Sequence, residues 1–198
     1  MSFGNLTIAL NPVSKEAKFK GVKFGADVAL ITTNHPDLNG AENAAIGDRE
    51  PFVISGPGEY EVREMFLRGF FSNSKYGGVT RPNTVYVFKV DDINICFAGA
   101  VSDLELSKEA EEAIDDIDIL FVPIGGQGVL NPADAYKFAV RLEPKIIIPM
   151  HYGEVGEKDA LKIFLKEAGA DGVKPTDKLT LKKKDVLGKE GEVMTLSY

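Results

Sequence analysis

The chain has 198 residues, 44% of them hydrophobic and 27% charged, and a formal net charge of −7. This balance suits one globular domain with a substantial core, 1–198, and no composition break or low-complexity linker divides it. The acid surplus excludes a nucleic-acid backbone as main partner, because phosphate binding needs a clustered basic surface.

In chain order, the first half reads as strands and turns. "NLTIAL" (5–10) is a strand ending at Asn11-Pro12, and the near-continuous apolar run "ADVALITT" (26–33) is a strand buried on both faces. "PFVIS" (51–55) runs into "GPGEY", read as a turn. "EMFLRGFF" (64–71) and "NTVYVFKV" (83–90) follow. The latter meets "INICFAG" (93–99) through Asp91-Asp92, a two-residue acidic turn that implies a hairpin. Cys96, the single cysteine, sits in that apolar run as a small hydrophobe, and one thiol excludes an internal disulfide or a cysteine-rich zinc cluster.

The second half alternates helix and strand. "LELSKEAEEAIDDI" (104–117) is helical, and "DILFVPIGG" (118–126) is a buried strand. "NPADAYKFAVRLEP" (131–144) is a helix with Asn131 as N-cap and Pro132 at its first position. "KIIIPMHYG" (145–153) is a third buried strand, with His151 just past its end. "EKDALKIFLKEAG" (157–169) is an amphipathic helix with Gly169 as its C-terminal cap. Two short strands, 178–182 and 192–197, complete the pattern, and "KLTLKKKD" (178–185) is the solvated face of the first of them. No apolar run reaches membrane-spanning length. "MSFGNLTIALNP" lacks the pattern of a signal peptide, so cytoplasmic residence is the default expectation.

Ligands of α/β proteins bind beyond the carboxyl ends of strands, and both histidines of the chain fall there. His35 and Asp37 stand two apart in "ITTNHPDLNG" (31–40), and His151 stands in "PMHYG". Imidazole and carboxylate together can hold zinc, iron or manganese. "GPGEYEV" and "PIGGQG" read as tight turns, with an anion cradle as the alternative, and no serine sits on a G-x-S-x-G elbow.

The order of "ALITTNHPDLNG", "ISGPGEYEV", "RPNTVYVFKVDDINICFAGAVSD" and "DIDILFVPIGGQGVLNPADAYKFAVRLEPKIIIPMHYG" resembles the metallo-β-lactamase superfamily. It is most similar to the branch of metal-dependent hydrolases that includes ascorbate-6-phosphate lactonase. The resemblance implies an α/β fold, a four-layer αββα sandwich with a metal site along one edge of two sheets. It also implies seven ligand positions. The T-H-x-H-x-D-H loop falls on Thr32 to Leu38, so Thr33 and Leu38 replace histidines while His35 and Asp37 remain. Another histidine falls on Ser72 or Asn73, the bridging aspartate falls on Ala100, and the last histidine is His151. In the family, His35 would serve one ion, and Asp37 with His151 the other.

These losses lead to the expectation of a hydrolase-like protein whose dinuclear site is largely gone. It would bind a small molecule or a partner protein and hold no tightly bound cofactor. The alternative is a reduced hydrolase of an ester, lactone or phosphoester. It would use one zinc, manganese or iron ion at His35, Asp37 and His151, with Asp37 as general base. Asp103, Glu59, Glu61 and Glu154 are candidate oxygen ligands in that case. Relatives begin with a further strand before the segment that here reads "IALNP", so the edge it would cover is expected either to be capped by "MSFGN" or to pair in a homodimer. Neither nucleic acid nor membrane is expected as a partner.

Overall fold

The computed structural model describes residues 1–197 and contains two facing sheets. The first sheet has the order β1 (Ser2–Phe3), β2 (Leu6–Leu10), β3 (Val28–Leu30), β4 (Phe52–Ile54). The second has seven strands: β5 (Gly58–Val62), β6 (Met65–Ser74), β7 (Arg81–Val90), β8 (Ile93–Phe97), β9 (Ile119–Pro123), β10 (Ile146–Met150) and β11 (Glu192–Val193), and its spatial order runs from β11 back to β5. β5 to β8 are antiparallel neighbours, whereas β8, β9, β10 and β11 run parallel.

Alternation decides which side of each strand meets which layer. Ile8, Val28, Leu30 and Ile54 of the first sheet close on Leu67, Tyr86, Phe88, Ile95, Phe121 and Ile148 of the second, forming the inter-sheet core. The opposite face of the second sheet buries Val85, Cys96, Leu120, Val122 and Ile147 beneath α1 (Lys108–Ala113), α2 (Pro132–Leu142) and α3 (Ala160–Glu167). Each large apolar side chain buried this way stabilises the fold by about 1.5–3 kcal/mol. Asn131 caps α2 as its sequence requires, accepting the Asp134 N–H at 3.0 Å. Ser107 caps α1 by accepting from Ala110.

The outer face of the first sheet is thinner. It buries only alanines, 9, 26, 29 and 44, beneath the irregular segment 11–27 and a single 3-10 turn, Ala41–Asn43. Among the described residues, α-helix begins at Lys108. The reason is compositional: "VSKEAKFKGVKFG" has no apolar stripe at helical spacing, and a loop packs closely against alanine.

Several elements differ from the expectations. The "GPGEY" turn is only its first half, because Gly58 already opens β5. α1 covers six residues rather than the whole of 104–117. No strand forms at 178–182. There, Lys182 donates its N–H to the Asp185 carboxylate at 2.8 Å, and Lys183–Val186 closes as a helical turn, α4. Of the two arrangements expected at the β2 edge, the local cap is present: β1 pairs antiparallel with β2, and the Met1 amino group donates to Ile8 O at 2.8 Å. This local cap supplies the partners that the dimer argument assigned to a second copy. The Asp91-Asp92 hairpin turn forms with φ of 49° and 60°, the left-handed pair that a two-residue hairpin needs. No described helix is long and apolar enough to cross a membrane.

Candidate functional site

The site forms where the loops after β3, β8, β9 and β10 meet the β6–β7 hairpin tip. The first loop is held at its root. Asn11 and Thr32 exchange two hydrogen bonds, each 2.8 Å, and Thr32 O accepts from Thr84 N across the sheets. Thr33, where the family pattern has a histidine, donates its hydroxyl to Pro82 O at 2.5 Å and is buried. It therefore joins the loop to β7 and does not face the cleft as a ligand.

Beyond Thr33 the chain turns tightly, with Leu38 N donating to His35 O at 2.8 Å. The turn brings His35 Nδ1 within 3.2 Å of the Asp37 N–H, which donates to it. Nδ1 and Asp37 Oδ2 are 3.6 Å apart, too long for a direct hydrogen bond. The two side chains that sequence spacing puts together are thus neighbours.

His151 lies near the Tyr76 ring. The Tyr76 hydroxyl donates to Asp37 Oδ2 at 2.9 Å. Its ring meets the His35 ring edge-on with centroids 4.8 Å apart, and lies at a tilt of 32° and 5.7 Å from the His151 ring. Burial, then the Asp37 hydrogen bond and charge, push the Tyr76 hydroxyl well above the usual tyrosine range. Tyr76 therefore remains a donor. His151 follows β10 in a left-handed conformation, φ 57°. Its buried Nδ1 has no hydrogen-bond partner. Burial lowers its pKa to about 4, with the Asp37 charge opposing, so the ring is neutral at pH 7.

The remaining family positions are closed. Leu38 and Ala100 cluster with Val129, and Tyr76 packs against that cluster. The Ala100 N–H donates to Asn83 Oδ1 at 2.9 Å, and the Asn83 amide donates to Ser72 Oγ and Ala98 O. Asn73 Nδ2 donates to Asp103 Oδ2 at 2.8 Å, which commits the carboxylate of Asp103. Glu59 and Glu61 sit on β5, the outermost strand of the second sheet, five strands from β10. Of the suggested oxygen donors only Glu154 lines the cleft.

Sequence reasoning missed Tyr76, because a tyrosine in a hairpin tip has no periodic signal. Its position depends on glycines. A Cβ at Gly77 would lie 2.9 Å from His35 Nε2, and one at Gly128 2.3 Å from Lys75 O. The "PIGGQG" glycines thus permit close packing of loops, since Gly125 likewise abuts His151 O.

Among the described residues, no three His, Cys, Asp or Glu side chains are grouped to hold a metal; His35 Nδ1 is taken by the Asp37 N–H and Asp37 Oδ2 by the Tyr76 hydroxyl.

Two facing sheets, with helices on an outer face and a site at the strand ends, match the metallo-β-lactamase fold. The sequence pattern of the β-lactamase superfamily domain matches residues 1–151, and the chain belongs to that family. A UPF0173 metal-dependent hydrolase of Listeria monocytogenes is 32% identical over 122 residues, 58% of this chain and 50% of the relative. The match thus spans half of that relative's length. Another from Thermococcus onnurineus is 26% identical over 178 residues, 75% of this chain and 78% of the relative. Among solved structures, a Thermotoga maritima protein assigned to the Zn-dependent hydrolases of the metallo-β-lactamase superfamily superposes with a TM-score of 0.69. That protein is 25% identical, and the superposition covers 96% of this chain and 90% of the other.

Proposed function

We propose that this is a hydrolase-like protein that has kept the fold and given up the dinuclear chemistry, and that its cleft binds a small molecule or a partner without hydrolysing it. One observation carries the reading: Tyr76 donates to Asp37 while its ring contacts the rings of both histidines. One carboxylate oxygen of Asp37 is thereby already engaged by a protein donor. A bridging ion also needs a shared carboxylate, and Ala100 offers none. Cytoplasmic residence belongs to the same reading, with neither nucleic acid nor membrane as partner. The charge of −7 supports the exclusion of nucleic acid.

Elemental analysis of protein purified without added metal or chelator tests the reading. Well under one equivalent of zinc, manganese or iron is expected. A full equivalent surviving dialysis would overturn it in favour of the single-ion hydrolase at His35, Asp37 and His151.

A further inference from the structure

The cleft has two chambers with different walls. The outer one, about 530 Å³, is lined by Glu16, Lys18, His35, Asp37, Gln127 and Glu154, together with the hairpin glycines. The inner one, about 380 Å³, is lined by Leu10, Val13, Phe19, Phe97, Met150 and Tyr152, among others. Phe19, Asp37, Tyr76, Glu154 and Val155 line both, so these residues form the boundary between a more polar chamber and a more apolar one. The inner volume lies in the range that takes small organic ligands.

The charges on these walls are unbalanced. Three carboxylates, Glu16, Asp37 and Glu154, face the two chambers against one ammonium, Lys18, and the inner chamber has neither lysine nor arginine. Glu16 and Glu154 make no ion pair among the described residues, and Asp37 has only His35 near it. Tyr76 occupies Asp37 Oδ2, while Oδ1 accepts no hydrogen bond from any described residue. An acceptor poorly supplied with donors beside an apolar chamber selects a ligand that brings its own.

We propose that the cleft takes a small aromatic amine, with its ring in the inner chamber and its ammonium group donating to Asp37 Oδ1. Glu154 and Glu16 add attractive charge at the mouth, and the rings of Phe19 and Tyr76 suit a cation at the boundary. An anionic ligand of the same shape meets three like charges instead, which disfavours it. This deepens the reading above and rests on it, because an ion held by Asp37 would compete for the same carboxylate.

Calorimetric titration with 2-phenylethylamine, 2-phenylethanol and 3-phenylpropionate at pH 7 tests it. The amine is expected to bind about tenfold or more tighter than the carboxylate, a step of about one unit in log Kd, with the alcohol between. Asp37→Asn should bring the amine to the level of the alcohol, and Glu154→Gln, at an exposed position, should weaken the amine by about twofold to threefold. Carboxylate binding as tight as amine binding, absence of saturable amine binding, or full amine preference in both variants would overturn the proposal. Repeating the titration after chelation separates the two claims. An affinity that changes on chelation reveals a resident ion and overturns the non-catalytic reading. An amine preference absent both before and after chelation overturns the ligand class alone.

Discussion

Asp118 and Asp37 are both shielded carboxylates, 0% and 13% exposed at the side chain, and the chain treats them in opposite ways. Asp118 precedes β9, at the far end of the parallel strands from His151. It accepts from Lys145 at 2.7 Å, Lys183 at 2.7 Å and the Asn94 N–H at 2.8 Å, so both oxygens have cationic partners. Asp37 lies at the strand ends with the Tyr76 phenol and the His35 ring for company. Saturation of a buried charge fixes structure, whereas an acceptor left without a cation marks a place where something else binds.

The sharpest way to break this comparison is to neutralise each carboxylate. Asp118→Asn removes the anion shared by Lys145 and Lys183, leaving Lys145 only Asp116, and should lower unfolding free energy by about 3 kcal/mol. Asp37→Asn should lower it by less than about 1 kcal/mol. Urea unfolding of the two variants measures both, and equal losses would remove the distinction.

The same pair separates with pH. Burial disfavours the charged form of Asp118, but the hydrogen bonds from Lys145 and Lys183 outweigh it and hold its pKa below the ordinary 3.8. A depressed carboxylate contributes stability above its unfolded value and loses it as pH falls through the folded value. The stability gap between wild type and Asp118→Asn should therefore be constant at neutral pH and shrink below about pH 4. Unfolding curves across that range check it, and a gap that persists at low pH would contradict the ion-pair account.

A smaller effect is expected at Tyr76. Tyr76→Phe removes one hydrogen bond to Asp37 and should cost about 1 kcal/mol or less, while the ring keeps its contacts with both histidines. Urea midpoints and tyrosine absorbance together test this, and a large loss would mean that the hydroxyl holds the hairpin tip in place.

What sequence shows of this molecule follows the range of the interactions involved. The Asp91-Asp92 hairpin and the capped helix at Asn131 are local events, set by residues a few positions apart, and the structure has both. The alternation in "KLTLK" reads as a strand, yet 178–182 finds no ladder, because Lys183 is drawn to Asp118, 65 residues away in sequence. At the site, His35, Asp37 and His151 stand out because rare polar residues follow apolar runs. Tyr76 does not, since its role exists only where the hairpin tip meets two other loops. Thr33 was legible as a lost ligand, but its bond to Pro82, 49 residues on, was not.

The central claim is that Tyr76, Leu38 and Ala100 have replaced an ion, and zinc titration tests it most directly. Zn²⁺ titrated by calorimetry into wild-type protein, and into the combined Thr33→His, Leu38→His, Ala100→Asp variant, compares the present site with a restored donor set. The account expects no saturable binding to wild type at micromolar zinc and affinity at least about tenfold higher in the variant, more than 1.4 kcal/mol. Wild-type saturation at one equivalent, with no gain in the variant, would contradict it.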